Sequence, residues 1–94
     1  MLYLICYDIV DSLRRDRTSR LLEGYGLRVQ KSVFECTLTE EQYDFLQARF
    51  ATQRYLNPVE DQVRFYPLLP QSRKEVVIVG TQPDYQIDDP LFIA

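Results

Sequence analysis

Apolar residues fall along the chain in two rhythms. Leu2 to Tyr7 is a short, nearly continuous apolar run stopped by Asp8, as expected of a central strand covered on both faces. The spacing then becomes helical. Asp11 or Ser12 can cap a helix running to about Glu23, with Thr18, Leu21, Leu22 and Tyr25 at i, i+3, i+4 and i+7. Gly24 and Gly26 end it. In the next stretch Leu27 and Val29 share one parity, whereas Phe34, Cys36 and Leu38 share the other. One flat strand cannot turn both sets to the same side, so a break, bulge or tight turn is expected at Gln30 to Ser32. Thr39-Glu40-Glu41-Gln42 is a capping box opening a second helix that buries Tyr43, Leu46 and Phe50. Val63, Phe65 and the Leu68-Leu69 pair make a further strand, which Pro67 marks as an edge or a strand end. The run Glu75 to Val79, ended by Gly80, predicts one strand more.

The order β-α-β-β-α-β, with an extra C-terminal strand, predicts an α+β fold of the ferredoxin-like, split βαβ kind. Its antiparallel sheet would carry two helices on one face. The other face has no helix to cover it. Ninety-four residues make one small domain. Burying the open face against a second copy is therefore the expected solution, a homodimer. Residues 1–80 form the expected core domain. Residues 81–94 form a tail with Pro83, Asp84, Asp88, Asp89 and Pro90, then apolar Leu91-Phe92-Ile93.

Composition narrows the chemistry. The chain has no histidine, which removes Ser/His and Cys/His triads, histidine zinc sites and histidine acid–base catalysis together. Cys6 and Cys36 sit in apolar runs and read as buried, reduced thiols, with a disulfide as the alternative. The apolar N-terminus lacks a basic flank and is too short to span a bilayer, so no membrane association is expected and the chain reads as cytoplasmic.

The net charge of −3 excludes a general polycation, yet the charge is unevenly spread. Between residues 14 and 31, Arg14, Arg15, Arg17, Arg20, Arg28 and Lys31 face only Asp16 and Glu23. Arg14, Arg17 and Arg20 step at i, i+3 and i+6 and form a ridge that Arg15 extends. Such a guanidinium cluster can neutralise several phosphates. A solvated helix face paired with its own acids explains it too. Asp8, at the end of the first strand beside this patch, is well placed to hold a divalent cation such as Mg2+ against a phosphodiester. One carboxylate per chain is a weak site unless a twofold axis brings two copies of Asp8 together. An Asx-turn is the plainer explanation of Asp8. Tyr7 and Phe34 are either core residues or platforms for stacked bases.

Taken together, Tyr7-Asp8-Ile9, Arg14-Arg15-Asp16-Arg17, Leu21-Leu22 and the stretch Tyr25 to Glu35 resemble the CRISPR-associated protein 2 family over roughly residues 1–80. This family is the small subunit of the spacer-acquisition machinery. The resemblance implies a ferredoxin-like homodimer with Asp8 as magnesium ligand at the dimer axis. It also implies metal-dependent endonuclease activity on single-stranded RNA or double-stranded DNA. Tyr7, Arg15, Arg17, Arg28 and Phe34 match the positions that support that activity. The implied partner is the integrase CRISPR-associated protein 1, with the tail pairing with the other subunit or docking the integrase. A second function fits the same residues: a non-catalytic adaptor that bridges integrase subunits and spacer DNA.

Overall fold

The computed structural model describes residues 1–81 of the chain. Seven elements follow in order: β1 (Leu2–Asp8), α1 (Ser12–Glu23), β2 (Gly26–Gln30), β3 (Val33–Thr37), α2 (Glu40–Phe50), β4 (Gln62–Leu68) and α3 (Pro70–Lys74). The strands form one antiparallel sheet in the order β2-β3-β1-β4, which is the ferredoxin-like arrangement the pattern predicts.

Local chemistry sets the boundaries. The Asp11 carboxylate caps α1 by accepting from the Arg14 amide at 3.0 Å. At the start of α2, Thr39 Oγ1 accepts from the Gln42 amide at 3.1 Å while Gln42 Oε1 accepts from the Thr39 amide at 2.9 Å. The parity conflict after Gly26 is resolved twice over. A bulge lies between Arg28 and Gln30, and a turn at Lys31-Ser32 separates β2 from β3.

The helices α1 and α2 cover one face of the sheet. Ile5 and Tyr7 of β1, Phe34 and Cys36 of β3, Leu22 of α1, and Leu46 and Phe50 of α2 share one buried cluster. Aromatic rings close its β4 side: Tyr3 stacks on Tyr43 at 4.4 Å between centroids, and Phe65 meets Tyr43 edge-on at 5.4 Å. The alternate positions Leu4, Cys6 and Asp8 point to the opposite face. There the register sets Leu4 against Glu35 and Tyr66, and Cys6 against Val33 and Arg64. Neither α1 nor α2 covers these rows.

Two expectations need correction. Among the described residues the extra C-terminal strand over Glu75 to Val79 does not form: the segment pairs with none of the described strands, and Val77 and Val79 are 77% and 90% exposed. A strand needs a neighbouring ladder, and the residues after β4 turn instead into the short helix α3, begun by Pro70 at its first position. Leu69 accordingly leaves the strand and becomes the residue preceding that helix. Pro67 does sit in an edge strand, opposite Tyr3. Of the expected tail, only Thr81 is described, so Leu91-Phe92-Ile93 and the tail's proposed pairing lie outside the described residues.

Both cysteines are free thiols, and their positions on opposite faces of the sheet keep them unpaired. Burial pushes the Cys36 thiol up to about 12, with the Glu35 carboxylate adding to the effect.

Gly26 is required by space. An added Cβ would run into the Glu35 carbonyl oxygen and lie 2.8 Å from the Cys36 Cα. At Gly24 the same atom would make ordinary contact with the Leu21 carbonyl at 3.4 Å, and the backbone is already in the right-handed region. Gly26→Ala should therefore cost about 1–3 kcal/mol or more in urea unfolding at fixed protein concentration. Gly24→Ala should leave the midpoint unchanged or raise it.

Candidate nucleic-acid interface

Two shallow clefts meet at Tyr7. The first, of about 190 Å³, is lined by Tyr7, Ser12, Arg15, Asp16, Ser19, Arg28 and Lys31. The second, of about 230 Å³, is lined by Cys6, Tyr7, Asp8, Gln62, Arg64 and Tyr66. Tyr7 forms a wall of both, so the first-strand carboxylate and the basic segment open onto neighbouring surfaces.

Backbone geometry delivers these groups. Strand β1 brings Tyr7 to the helix side and Asp8 to its exposed end. The Tyr7 hydroxyl donates to the Lys31 carbonyl at 3.2 Å, pinning the β2–β3 turn beside the cleft. Burial pushes the Tyr7 phenol up, although the nearby Arg28 opposes the shift. Arg15, on the first turn of α1, donates to the Ile9 and Val10 carbonyls at 3.3 Å each. The Arg28 guanidinium carbon lies 5.3 Å from the Phe34 ring centroid, and its Nη2 nitrogen is 3.7 Å from Glu23 Oε1.

The helical arginine ridge is divided by its partners. Arg14 Nε donates to Asp61 Oδ2 at 2.8 Å, and another of its nitrogens donates to Glu60 Oε1 at 3.1 Å. Asp11 adds a third carboxylate at 3.9 Å. Arg20 pairs with Asp16 at 3.0 Å. Among the described residues, Arg15, Arg17 and Lys31 have no carboxylate partner within 4 Å; Arg17 donates instead to the Arg54 carbonyl at 3.3 Å.

The aromatic expectation also changes. Phe34 is fully buried and Tyr7 is 7% exposed, with ring centroids 6.3 Å apart, so both rings belong to the core. A buried ring has no face to offer a base. Phe34 can act on a ligand only through the Arg28 side chain it supports, and Tyr7 only through its hydroxyl.

Sequence reasoning counts Lys31 as local charge without a role, passes over Arg64, and misses Asp61. Arg64 stands in the Asp8 cleft, donating to Gln62 Oε1 at 3.0 Å and to the Tyr66 hydroxyl at 3.1 Å. Asp61 has no exposed side-chain surface and accepts from the Val10 amide at 2.9 Å, the Asn57 amide at 2.8 Å and Arg14. Desolvation raises its carboxyl, but the two amides and the guanidinium outweigh that and hold it below the usual 3.8.

As a possible metal centre, Asp8 supplies one exposed carboxylate. No group of three or more His, Cys, Asp or Glu side chains suited to a metal ion occurs among the described residues. Magnesium commonly takes only one or two carboxylates and keeps several waters, so an exposed carboxylate fits it as part of a site shared between two chains. No helix among the described residues is long and apolar enough to cross a membrane.

Fold and site thus define a small ferredoxin-like protein with a first-strand aspartate beside a basic cleft. The family model for CRISPR associated protein Cas2 matches residues 1–76, and the chain belongs to that family. A relative from Synechocystis sp., named CRISPR-associated endoribonuclease Cas2 3, is 48% identical over 82 residues, 87% of each chain. The crystal structure of Streptococcus pyogenes Cas2 superimposes with a TM-score of 0.73 at 29% identity, covering 85% of this chain and 100% of that one. A chain of a partial Cas6-RT-Cas1–Cas2 complex gives a TM-score of 0.64 at 32% identity, covering 90% and 97%.

Because the Asp61 carboxyl titrates lower folded than unfolded, its stabilisation is fully present above the ordinary value near 3.8. It is lost as pH falls through the folded value. Asp61→Asn should lower stability at pH 7 by about 2 kcal/mol. In urea unfolding across pH 2–7, the gap between the two proteins should close below about pH 3.8.

Proposed function

We propose that this chain is the homodimeric, nucleic-acid-binding subunit of CRISPR spacer acquisition, with magnesium-dependent endonuclease activity carried by Asp8. The observation that carries the reading is the shared wall at Tyr7, which sets an exposed carboxylate beside a cleft with two cations, Arg15 and Lys31, that have no carboxylate partner within 4 Å among the described residues. The endoribonuclease name of the Synechocystis relative supports hydrolysis of a phosphodiester, and single-stranded RNA and double-stranded DNA are the candidate substrates. The similarity to a chain from a complex containing Cas1 supports the integrase as partner.

The sheet face opposite α1 and α2 supports the dimer. Leu4, Cys6, Leu27, Val33 and Leu68 are all only partly buried there, and Tyr66 is exposed. The unpaired segment Glu75 to Val79 has the alternation of a strand and fits the free edge of a second copy's sheet. Pairing across that face would bring two Asp8 side chains toward a common axis.

In the proposed reaction Arg15, Arg28 and Lys31 hold phosphates flanking the scissile bond, and the Tyr7 hydroxyl fixes the turn that carries Lys31. The Asp8 carboxylates hold the cation. Bound magnesium supplies a more acidic water and offsets charge on the phosphoryl oxygens. Arg14, already enclosed by Asp61 and Glu60, contributes least to phosphate binding.

The adaptor reading is favoured by a different observation: a lone carboxylate per chain, with no further metal-binding cluster among the described residues. On that reading the arginines and the sheet edge fix DNA and integrase, and Asp8 is structural.

Cleavage of end-labelled single-stranded RNA and duplex DNA, with magnesium or chelator, separates the two. Asp8→Ala should lower the magnesium-dependent rate by about a hundredfold or more while the protein remains a dimer near 22 kDa, twice the 11.2 kDa chain. Equal rates for both proteins favour the adaptor, and a monomeric mass by light scattering overturns the dimer. Arg15→Ala with Lys31→Ala should weaken binding to any duplex sequence. The double variant should also reduce the slope of log affinity against log salt by about 2, one for each lost phosphate contact.

A further inference from the structure

We infer that Asp61 is the positioning residue for Asp8, holding the loop after that carboxylate and the start of the strand paired with it in one arrangement. The inference rests on the reading of Asp8 as a magnesium ligand. Asp8 ends a strand and is exposed, and it makes no hydrogen bond of its own among those found in the described residues that would orient it. Its orientation is therefore set by the backbone around it.

That backbone is tied to one side chain. Two residues beyond Asp8, the Val10 amide donates to Asp61 Oδ1 at 2.9 Å. The other oxygen, Oδ2, accepts from the Asn57 amide and from Arg14 Nε, both at 2.8 Å. The residue after Asp61 is Gln62, the ladder partner of Asp8 itself. One carboxylate with no exposed surface thus joins the loop after β1, the first turn of α1, the loop after α2 and the start of β4. Arg15 holds the same loop through its carbonyls, at Ile9 and Val10, while Asp61 holds it through an amide. A site with a single carboxylate per chain is sensitive to such support, because an unsupported ligand must be ordered anew each time a cation binds.

The test uses the 94-residue chain labelled with nitrogen-15 and titrated with magnesium chloride, read by the amide shifts of Asp8, Ile9 and Val10. Wild type should give a saturable shift that Asp8→Ala abolishes. Asp61→Asn should keep the shift but move its midpoint about tenfold higher. In RNA cleavage the half-saturating magnesium concentration should rise by the same factor, with KM for RNA unchanged and the rate largely recovered at saturating magnesium. If Asp61→Asn melts earlier but keeps the wild-type midpoint, Asp61 is a stabiliser only and the inference fails. If Asp8→Ala also titrates like wild type, the magnesium reading of Asp8 fails and takes the inference with it. Should Asp61→Asn not fold, Arg14→Gln keeps both amide bonds and removes one support. It should raise the midpoint severalfold, and an unchanged midpoint would falsify the inference there too.

Discussion

Strand β1 lies between β3 and β4, and the alternation along it decides what each face of the protein can do. Ile5 and Tyr7 must enter the core because α1 and α2 lie on that side, where Phe34, Leu22 and Leu46 are fully buried around them. Leu4, Cys6 and Asp8 then have no choice but the other face. A slip of one residue would exchange the sets, burying a carboxylate among apolar side chains and exposing Ile5. That penalty fixes the register. The packing of the core thereby dictates that the candidate metal ligand emerges on the face opposite α1 and α2.

The same geometry bears on how an acidic protein would meet a polyanion in the proposed function. The overall charge is −3, but charge acts over about a Debye length, roughly 8–10 Å in physiological salt. Locally, Arg14 is engaged by Asp61, Glu60 and Asp11, and Arg20 by Asp16, so neither adds much net field. Arg15 and Lys31 keep their charge beside the cleft, and Arg28 shares its own with Glu23. On the proposed reading the work expected of the whole ridge therefore narrows to a few side chains around Tyr7: Arg14 and Arg20 are engaged within the fold, and of the ridge Arg15 lines the cleft.

Much of this was legible in the chain itself because the signals are local. The capping box at Thr39 to Gln42, the Asp11 cap and the parity break near Gln30 each depend on residues within a few positions of one another. The run Glu75 to Val79 carries an equally clear strand pattern, but a strand is completed by its neighbour, and none pairs with it among the described residues. The sequence leaves the roles of Phe34 and Arg14 open for the opposite reason. Their chemistry suits a ligand, and only three-dimensional packing shows that the core claims the ring and that Asp61, 47 residues away along the chain, claims the guanidinium. Asp61 itself carries no local pattern. An acid just before a strand is commonplace, and its importance comes wholly from the three donors that converge on it.

The uncovered face and the lone carboxylate are two shortages with a common remedy. A chain this small buries a modest share of its surface, and among the described residues Leu4 and Val33 are only half-buried and Tyr66 is exposed. It also offers a divalent cation a single aspartate and no histidine. Since β1 alternation puts both on the same side, one act of pairing in the proposed dimer serves both: apolar rows gain cover, and the carboxylates approach one another. Stability and metal affinity would then rise and fall together with association. On this argument the site belongs to the pair of chains, and what each chain must contribute is an aspartate held in a fixed place.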